Sequence, residues 1–211
     1  MFAKLANSGG HNVQVGMSAQ GGVTLTDHVN SSETLEKIAA SKWDFVVLQE
    51  QSQIPAVDQS RNNQMYPAAR FLVNQIKEAG GVPILFLTWA HRDGWRENGF
   101  PDFKSMQFKI DRGYLQIAHE LLTAVAPVGY AWLLATGQNP GLTLWQEDGS
   151  HPTLQGTYLA ACVFYAAIFL QSPFGLSYTA DLPKETALFL QQIAGITVLN
   201  NPADWNLSPK I

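Results

Sequence analysis

A polar loop, residues 144–153, contains an aspartate and a histidine three residues apart. The carboxylate of Asp148 can lie against one imidazole nitrogen of His151, which leaves the other nitrogen free to take a proton from a serine hydroxyl. This spacing therefore indicates two members of a Ser-His-Asp constellation, although a loop histidine that caps the next helix is the alternative. No serine of the sequence stands in an obvious nucleophile turn. The sequence thus indicates the acid–base pair of a Ser-His-Asp constellation without showing its nucleophilic serine.

The composition limits the classes of protein to consider. The chain has 211 residues, enough for one domain with a substantial core, and 46% are hydrophobic against 14% charged. A formal net charge of −4 argues against a dominant electrostatic attraction to nucleic acid or to an anionic membrane. The single cysteine, Cys162, excludes an intramolecular disulfide, and its apolar surroundings favour a core position. Because no zinc-finger spacing is present, we expect no structural metal.

Hydrophobic segments give little information on the cellular compartment. The apolar run 158–170 is too short to span a bilayer, which favours a buried helix and no membrane span. The first five residues lack the long apolar stretch of a signal peptide. Cytoplasmic and exported locations both remain open, as does the oligomeric state.

Strand and helix patterns alternate along the chain, which predicts a parallel sheet flanked by helices. Strands are predicted at 12–17, at 45–48 and 84–87 (both covered on two faces), and more weakly at 128–132. Helices are predicted around 66–76, 110–121, 153–170 and 184–194. Ligands of such sheets bind beyond the carboxyl ends of the strands. Polar clusters at 18–22, 49–52, 88–93 and 144–153 are expected to meet there.

Three segments, 16–29, 42–52 and 147–169, resemble the SGNH (GDSL-type) hydrolase superfamily, and more narrowly a bacterial subgroup known mostly as a domain of unknown function. The last segment carries the most specific match, an Asp-x-x-His followed by a helix. The resemblance implies a three-layer, flavodoxin-like α/β fold with a parallel sheet. It also implies a serine esterase that needs no metal or organic cofactor.

The superfamily's first block, a strand that ends in Gly-Asp-Ser or Gly-Asn-Ser, carries the nucleophile. Here Met1–Ser8 resembles the end of the helix that follows this strand. The resemblance therefore implies a single domain, 1–211, that lacks its first and central strand, and truncation of a longer gene is the economical explanation. Ser8 is interpreted as part of the helix end.

The resemblance also implies an oxyanion hole that is built from the nucleophile's N–H, a glycine N–H and an asparagine side chain. Gly21 or Gly22 corresponds to the glycine. The usual Gly-x-Asn-Asp is replaced by residues 49–52, in which Gln51 can present the same amide as asparagine on a longer arm. Gln49 offers the same amide group if residues 49–52 align with the family's block at an offset.

Four further residues have both a functional and a structural interpretation. Glu50 can orient a neighbouring amide or be solvated at the rim. Ser52 follows a strand at the correct end and is the best nucleophile within the chain, although a simple loop hydroxyl is the plainer interpretation. Trp89 suits stacking on a sugar ring or ordinary packing. His91 is expected to line the substrate cleft, but it lacks the aspartate spacing of His151.

Two functions follow from these observations. The first is a serine esterase that removes an acetyl or another short acyl group from a carbohydrate or small ester, with His151 as base, Asp148 as its orienting partner and the nucleophile absent from this chain. The alternative is a catalytically inactive SGNH-fold protein that binds carbohydrate or acts as a scaffold. A third possibility, catalysis by Ser52, keeps the nucleophile within the chain.

Overall fold

A parallel three-stranded sheet forms the centre of the computed structural model, which describes residues 1–40 and 42–207. The strands are β1 (Phe45–Leu48), β2 (Val82–Phe86) and β3 (Ala124–Ala126), in the spatial order β1-β2-β3. Phe45 pairs with Val82 in the first ladder, and Ile84 pairs with Ala124 in the second. Because the strands are parallel, the loops that follow them lie at the same edge of the sheet.

Helices account for most of the remaining structure. They are α1 (Phe2–Ser8), α2 (Leu25–Val29), α3 (Ser32–Ala40), α4 (Asp58–Ser60), α5 (Tyr66–Glu78), α6 (Phe103–Leu121), α7 (Val128–Gln138), α8 (Leu154–Phe169) and α9 (Lys184–Leu199). A π-helical segment, Arg61–Met65, joins α4 to α5. Short 3₁₀ helices occupy Ile54–Ala56, Arg96–Asn98 and Pro202–Trp205.

The helices cover both faces of the sheet and divide the core into two apolar clusters. Helices α1, α7, α8 and α9 pack on the face that presents Ile84 and Ala126. Helices α2, α3, α5 and α6 pack on the face that presents Leu85 and Val125. Successive residues of a strand point to opposite faces, so each strand contributes to both clusters. The predicted α/β architecture with a parallel sheet is therefore confirmed.

The predicted helices agree with the structure in type and approximate position. Helix α5 ends at Glu78, two residues before Gly80, whose φ is +83°, as the paired glycines at 80 and 81 indicated. Helix α9 continues five residues beyond its predicted end. Cys162 is fully buried in α8, which confirms the core interpretation. In the described ranges, no helix combines the length and apolarity needed to cross a membrane.

The strand prediction for residues 12–17 was wrong. The segment is irregular and mostly exposed, and it pairs with no strand in the part of the chain that the structure describes. Its side chains Val15 and Met17 are 61% and 76% exposed. An alternating pattern becomes a strand only where a neighbouring strand satisfies its backbone groups, and no described strand pairs with this segment.

Two further expectations about strands need correction. The prediction that 45–48 is covered on both faces was wrong in part, because β1 lies at the edge of the sheet and Val47 is 41% exposed. Residues 128–132, predicted as a weak strand, form the first turns of α7. Strand β3 ends at Ala126. The next residue, Pro127, lacks the backbone N–H that pairing with a neighbouring strand needs, and it is the N-cap of α7.

We predict that Gly129→Ala destabilises the fold by about 1–3 kcal/mol, the usual cost of overpacking. A Cβ at Gly129 would overlap the side-chain amide nitrogen of Gln107 and the carbonyl oxygen of Thr88. Chemical denaturation measures the change in the free energy of unfolding. Gly137→Ala on the same helix is the control, because nothing lies within 4 Å of its added Cβ. Equal stability of the two variants would contradict the prediction.

Candidate active site

A tight turn places Asp148 and His151 together in the loop between α7 and α8, called here the Asp–His loop (residues 144–153). The His151 carbonyl accepts the Gln146 N–H at 2.8 Å, and the Gln146 carbonyl accepts the Gly149 N–H at 3.0 Å. Gly149 has φ of +69°, in the left-handed region that glycine adopts without steric cost. The loop therefore folds back on itself and fixes the spacing of Asp148 and His151.

Asp148 is anchored by three hydrogen bonds. Its Oδ1 accepts the backbone N–H groups of Ser150 at 2.9 Å and His151 at 3.0 Å, while Oδ2 lies 2.6 Å from His151 Nδ1. The Ser150 N–H, the His151 ring and the His151 N–H lower the pKa of Asp148 to about 2. An ionised carboxylate can only accept, so His151 Nδ1 carries the proton of this hydrogen bond. In the neutral imidazole, Nε2 then presents its lone pair as a base.

A second loop, the β2 loop (residues 88–93), holds the Asp–His loop through three hydrogen bonds. The indole N–H of Trp89 donates to the Ser150 carbonyl at 2.9 Å, and the Arg92 N–H donates to the Gly149 carbonyl at 2.8 Å. In the other direction, the indole N–H of Trp145 donates to the Ala90 carbonyl at 2.9 Å. The two loops therefore form one unit, as expected for the carboxyl edge of a parallel sheet.

A tryptophan of α7, Trp132, packs beneath this unit against one tryptophan from each loop. Fully buried Trp132 stacks on Trp89 with ring centroids 4.2 Å apart, and its edge contact with Trp145 has a centroid distance of 4.8 Å. One face of the Trp89 indole is thus covered and its N–H is engaged. These contacts give Trp89 a structural function at the rim and leave less of the ring for stacking on a sugar.

His91 lies close to the Asp–His pair and is half-buried. Burial lowers the pKa of His91, the nearby Asp148 carboxylate opposes this shift, and His151 adds to it. His91 is therefore a neighbour of the pair at the same corner of the sheet, and its place in a substrate cleft stays a prediction. The adjoining Arg92 and Asp93 form an exposed salt bridge of 2.8 Å.

The loop after β1 (residues 49–53) fixes the orientation of one amide. Gln51 Oε1 accepts the backbone N–H groups of Gln53 at 2.9 Å and Ile54 at 3.3 Å. Because its oxygen is occupied in this way, the Nε2 donors of Gln51 point elsewhere. Gln49 is exposed at the end of the strand. Of the two glutamines, Gln51 is the one whose amide the backbone orients.

The paired glycines form an exposed turn directly before α2. Gly22 has φ of +79°, so a glycine suits this conformation better than other residues do. Thr24 and Asp27 then begin the helix with reciprocal hydrogen bonds between each side chain and the other's backbone N–H, at 3.1 and 2.8 Å. The position of Gly22 is thus tied to a capped helix start.

Glu50 is fully buried, so its interpretation as a solvated rim residue was wrong. Ser52 is half-buried in the turn after Gln51. Ser18 is hydrogen bonded to Thr34 at 3.0 Å. In the described parts of the chain, no hydrogen bond joins Ser52 or Ser18 to His151. Nor do those parts contain a cluster of three or more histidine, cysteine or acidic side chains that could hold a metal ion.

Comparison with solved structures bears on these features. A DUF4886 family protein from Bacteroides uniformis ATCC 8492 superposes with a TM-score of 0.77 at 20% identity, over 96% of this chain and 89% of that one. A candidate SGNH hydrolase from Slackia heliotrinireducens superposes with a TM-score of 0.65 at 27% identity, over 79% of this chain and 90% of that one. The chain has an SGNH-like fold. No family model and no curated protein sequence matches it.

The sequence interpretation missed the residue that supports the β2 loop of this SGNH-like fold. Gln107 is fully buried in α6; its Oε1 accepts the Ala90 N–H at 2.7 Å, and its Nε2 donates to the Thr88 carbonyl at 3.1 Å and to Asp111 at 2.7 Å. Burial raises the pKa of Asp111 to about 7. A usable signal was present, because these two polar residues share the helical face of Ile110.

The first prediction for this site concerns the charge of Asp148. Carbon-detected NMR should show its carboxyl titrating near pH 2, and in His151→Ala the midpoint should rise yet stay below the ordinary 3.8 because the two backbone donors remain. Since the pKa is depressed, its contribution to stability is present above about pH 4 and is lost as pH falls towards 2. A wild-type midpoint at the ordinary value would contradict this geometry.

A second prediction tests the connection between the loops. Trp89→Phe retains the ring that stacks on Trp132 but removes the donor to the Ser150 carbonyl. We expect the Arg92 amide, which binds the Asp–His loop, to exchange with solvent about tenfold faster, as the loss of one hydrogen bond implies. Trp205→Phe is the matched control, since it removes an indole N–H bond to Thr197 on another part of the fold. Equal Arg92 exchange in both variants would refute the connection.

Proposed function

We propose that this chain carries the acid–base machinery of an SGNH-type serine esterase. The observation that supports the proposal most strongly is the Asp148–His151 hydrogen bond of 2.6 Å, in a loop that fixes both partners and leaves Nε2 as the base. This arrangement suits acyl transfer, in which an imidazole first accepts a proton and then returns it. An SGNH-like fold agrees with the proposal but does not by itself select a chemistry.

In the proposed reaction, His151 Nε2 accepts the serine proton as the serine oxygen attacks the ester carbonyl. Asp148 stabilises the imidazolium that forms. The carbonyl oxygen becomes negative and is bound by the Gly22 N–H and by the Gln51 amide, each worth about 3 kcal/mol in comparable sites. His151 then gives the proton to the departing alcohol, and a water molecule completes hydrolysis by the same steps. Small-molecule esters and acetylated carbohydrates are the proposed substrates.

The nucleophile is proposed to lie on a strand beyond the described residues, next to β1. Two observations support this placement. Strand β1 has a described partner on one side only, and the alternating segment 12–17 pairs with no described strand. One additional strand between them would satisfy both edges and would bring its carboxyl end to the rim. Residues 1–211 would then be one three-layer, flavodoxin-like domain without its first strand.

The test compares p-nitrophenyl acetate hydrolysis by the chain as given with that of a form extended by the coding sequence upstream. We expect the extended form alone to hydrolyse the ester, and His151→Ala to lower its kcat/KM by about 10²–10⁴, the usual contribution of a general base. His119→Ala, at an exposed histidine of α6, is the control and should leave the rate unchanged.

Two outcomes would contradict the proposal, the first of them only its placement of the nucleophile. Turnover by the chain as given that is lost in both His151→Ala and Ser52→Ala would place the nucleophile at Ser52. Background rates in every form, with folded protein, would favour the inactive carbohydrate-binding or scaffold protein.

A further inference from the structure

We propose that Glu50 is a positioning residue that holds the two oxyanion donors, the Gly22 N–H and the Gln51 amide, at a fixed separation. This inference rests on the proposed function, because it concerns the same oxyanion site. Glu50 itself touches neither substrate nor nucleophile in this scheme. It acts through the two chain segments that its carboxyl group joins.

A single oxygen atom joins these two segments. Glu50 Oε1 accepts the N–H of Leu25 at 3.1 Å and the N–H of Gln51 at 2.8 Å. Leu25 is the first residue of α2, and Gln51 follows the end of β1. The bond to Leu25 spans 25 positions of sequence, so it connects two segments that are far apart along the chain.

Few residues separate the two N–H groups bound by this oxygen from the two proposed donors. Gly22 precedes Leu25 by three residues. The capping hydrogen bonds between Thr24 and Asp27 hold the chain at the start of α2. On the other side, the Gln51 amide is held by two backbone N–H groups of its own turn. A displacement of Glu50 would therefore move both donors relative to each other, and oxyanion stabilisation depends on such preorganised geometry.

Helix α6 holds the backbone of Glu50 through a hydrogen bond. Its backbone N–H donates to the hydroxyl of Tyr114 at 3.1 Å, and Tyr114 is fully buried. Main chain and side chain of Glu50 are thus both engaged, with none of the residue exposed. In the described structure, the second oxygen, Oε2, is buried without a hydrogen-bond partner.

A second question is whether a carboxyl group at this position would place a negative charge close to the proposed oxyanion. Burial raises the pKa of Glu50, against the effect of the Gln51 and Leu25 N–H groups, and Asp27 adds to the rise. A protonated carboxyl group still accepts two hydrogen bonds through Oε1 and places no negative charge beside the oxyanion. The positioning function rests on the acceptor oxygen Oε1, which both protonation states of the carboxyl group provide.

Acetate titration followed by ¹⁵N–¹H NMR tests the inference, with acetate as the probe because it is the acid product of the proposed reaction. In the wild-type chain, we expect acetate to shift the Gly22 amide and the Gln51 side-chain amide. Glu50→Gln keeps an acceptor oxygen and should retain the wild-type Kd. Glu50→Ala should raise the Kd about tenfold, the effect expected when an ordinary hydrogen bond no longer holds a donor in place.

Gln191→Ala is the matched control for general loss of stability. Gln191 is also a fully buried polar residue, and it bonds Gly175 and Tyr158 in the other layer of the fold. This variant should keep the wild-type acetate Kd. If Glu50→Ala does not fold, Glu50→Asp replaces it, because a shorter side chain draws the carboxyl group away from Leu25 and should weaken acetate binding in the same way.

The outcomes separate this inference from the proposed function. No acetate shift at Gly22 or Gln51 in folded wild-type protein would refute the oxyanion assignment itself. Wild-type shifts with an unchanged Kd in Glu50→Ala, or in Glu50→Asp where that variant is used, would overturn the function of Glu50 alone. A raised Kd in Glu50→Gln or in Gln191→Ala would overturn it as well, because charge or overall stability would then explain the effect.

Discussion

The rim of this sheet depends on one buried side-chain amide, that of Gln107. Its three hydrogen bonds satisfy the Ala90 N–H, the Thr88 carbonyl and Asp111, in an interior where an unsatisfied backbone group costs about 1–3 kcal/mol. The β2 loop leaves the strand in the conformation that these bonds permit. The Ala90 carbonyl is then available to Trp145, and through that residue to the Asp–His loop. Through these bonds, helix α6 supports the loop that carries Asp148 and His151.

This support matters because the Asp148–His151 pair is itself exposed, with 48% and 72% of the two side chains accessible. An exposed ion pair or hydrogen bond contributes little to stability and does not by itself hold two side chains in one geometry. The geometry comes instead from the turn around Gly149, from the two backbone donors to Asp148 and from the contacts of the β2 loop. The accessible imidazole of His151 therefore has a fixed position, as the proposed general acid–base catalysis would require.

Much of the fold could be predicted because its signals are local. The apolar runs of β1 and β2, the stripe of α5 and the Asp-x-x-His spacing each depend on a few neighbouring residues. Residues 12–17 and 128–132 were misassigned because the secondary structure of an apolar or alternating run depends on the segments that lie beside it in the folded chain. The indole bonds of Trp89 and Trp145 join positions more than fifty residues apart, so no local pattern reports them. Gln107 lies between these cases, since its helical face was predictable and its partners were not.

The same distinction bears on the proposal that Gln51 takes the place of the asparagine of SGNH hydrolases. A longer side chain loses more rotamer entropy when it is ordered, up to about 1.5–2 kcal/mol for glutamine, so an unsupported Gln51 would be a poorer donor. Here the two N–H groups of the following turn hold its oxygen, and Glu50 binds its backbone N–H. These bonds limit the freedom that the extra methylene introduces. The Gln-Glu-Gln segment is therefore one unit, in which the carboxyl group of Glu50 orders the backbone that carries the Gln51 side chain.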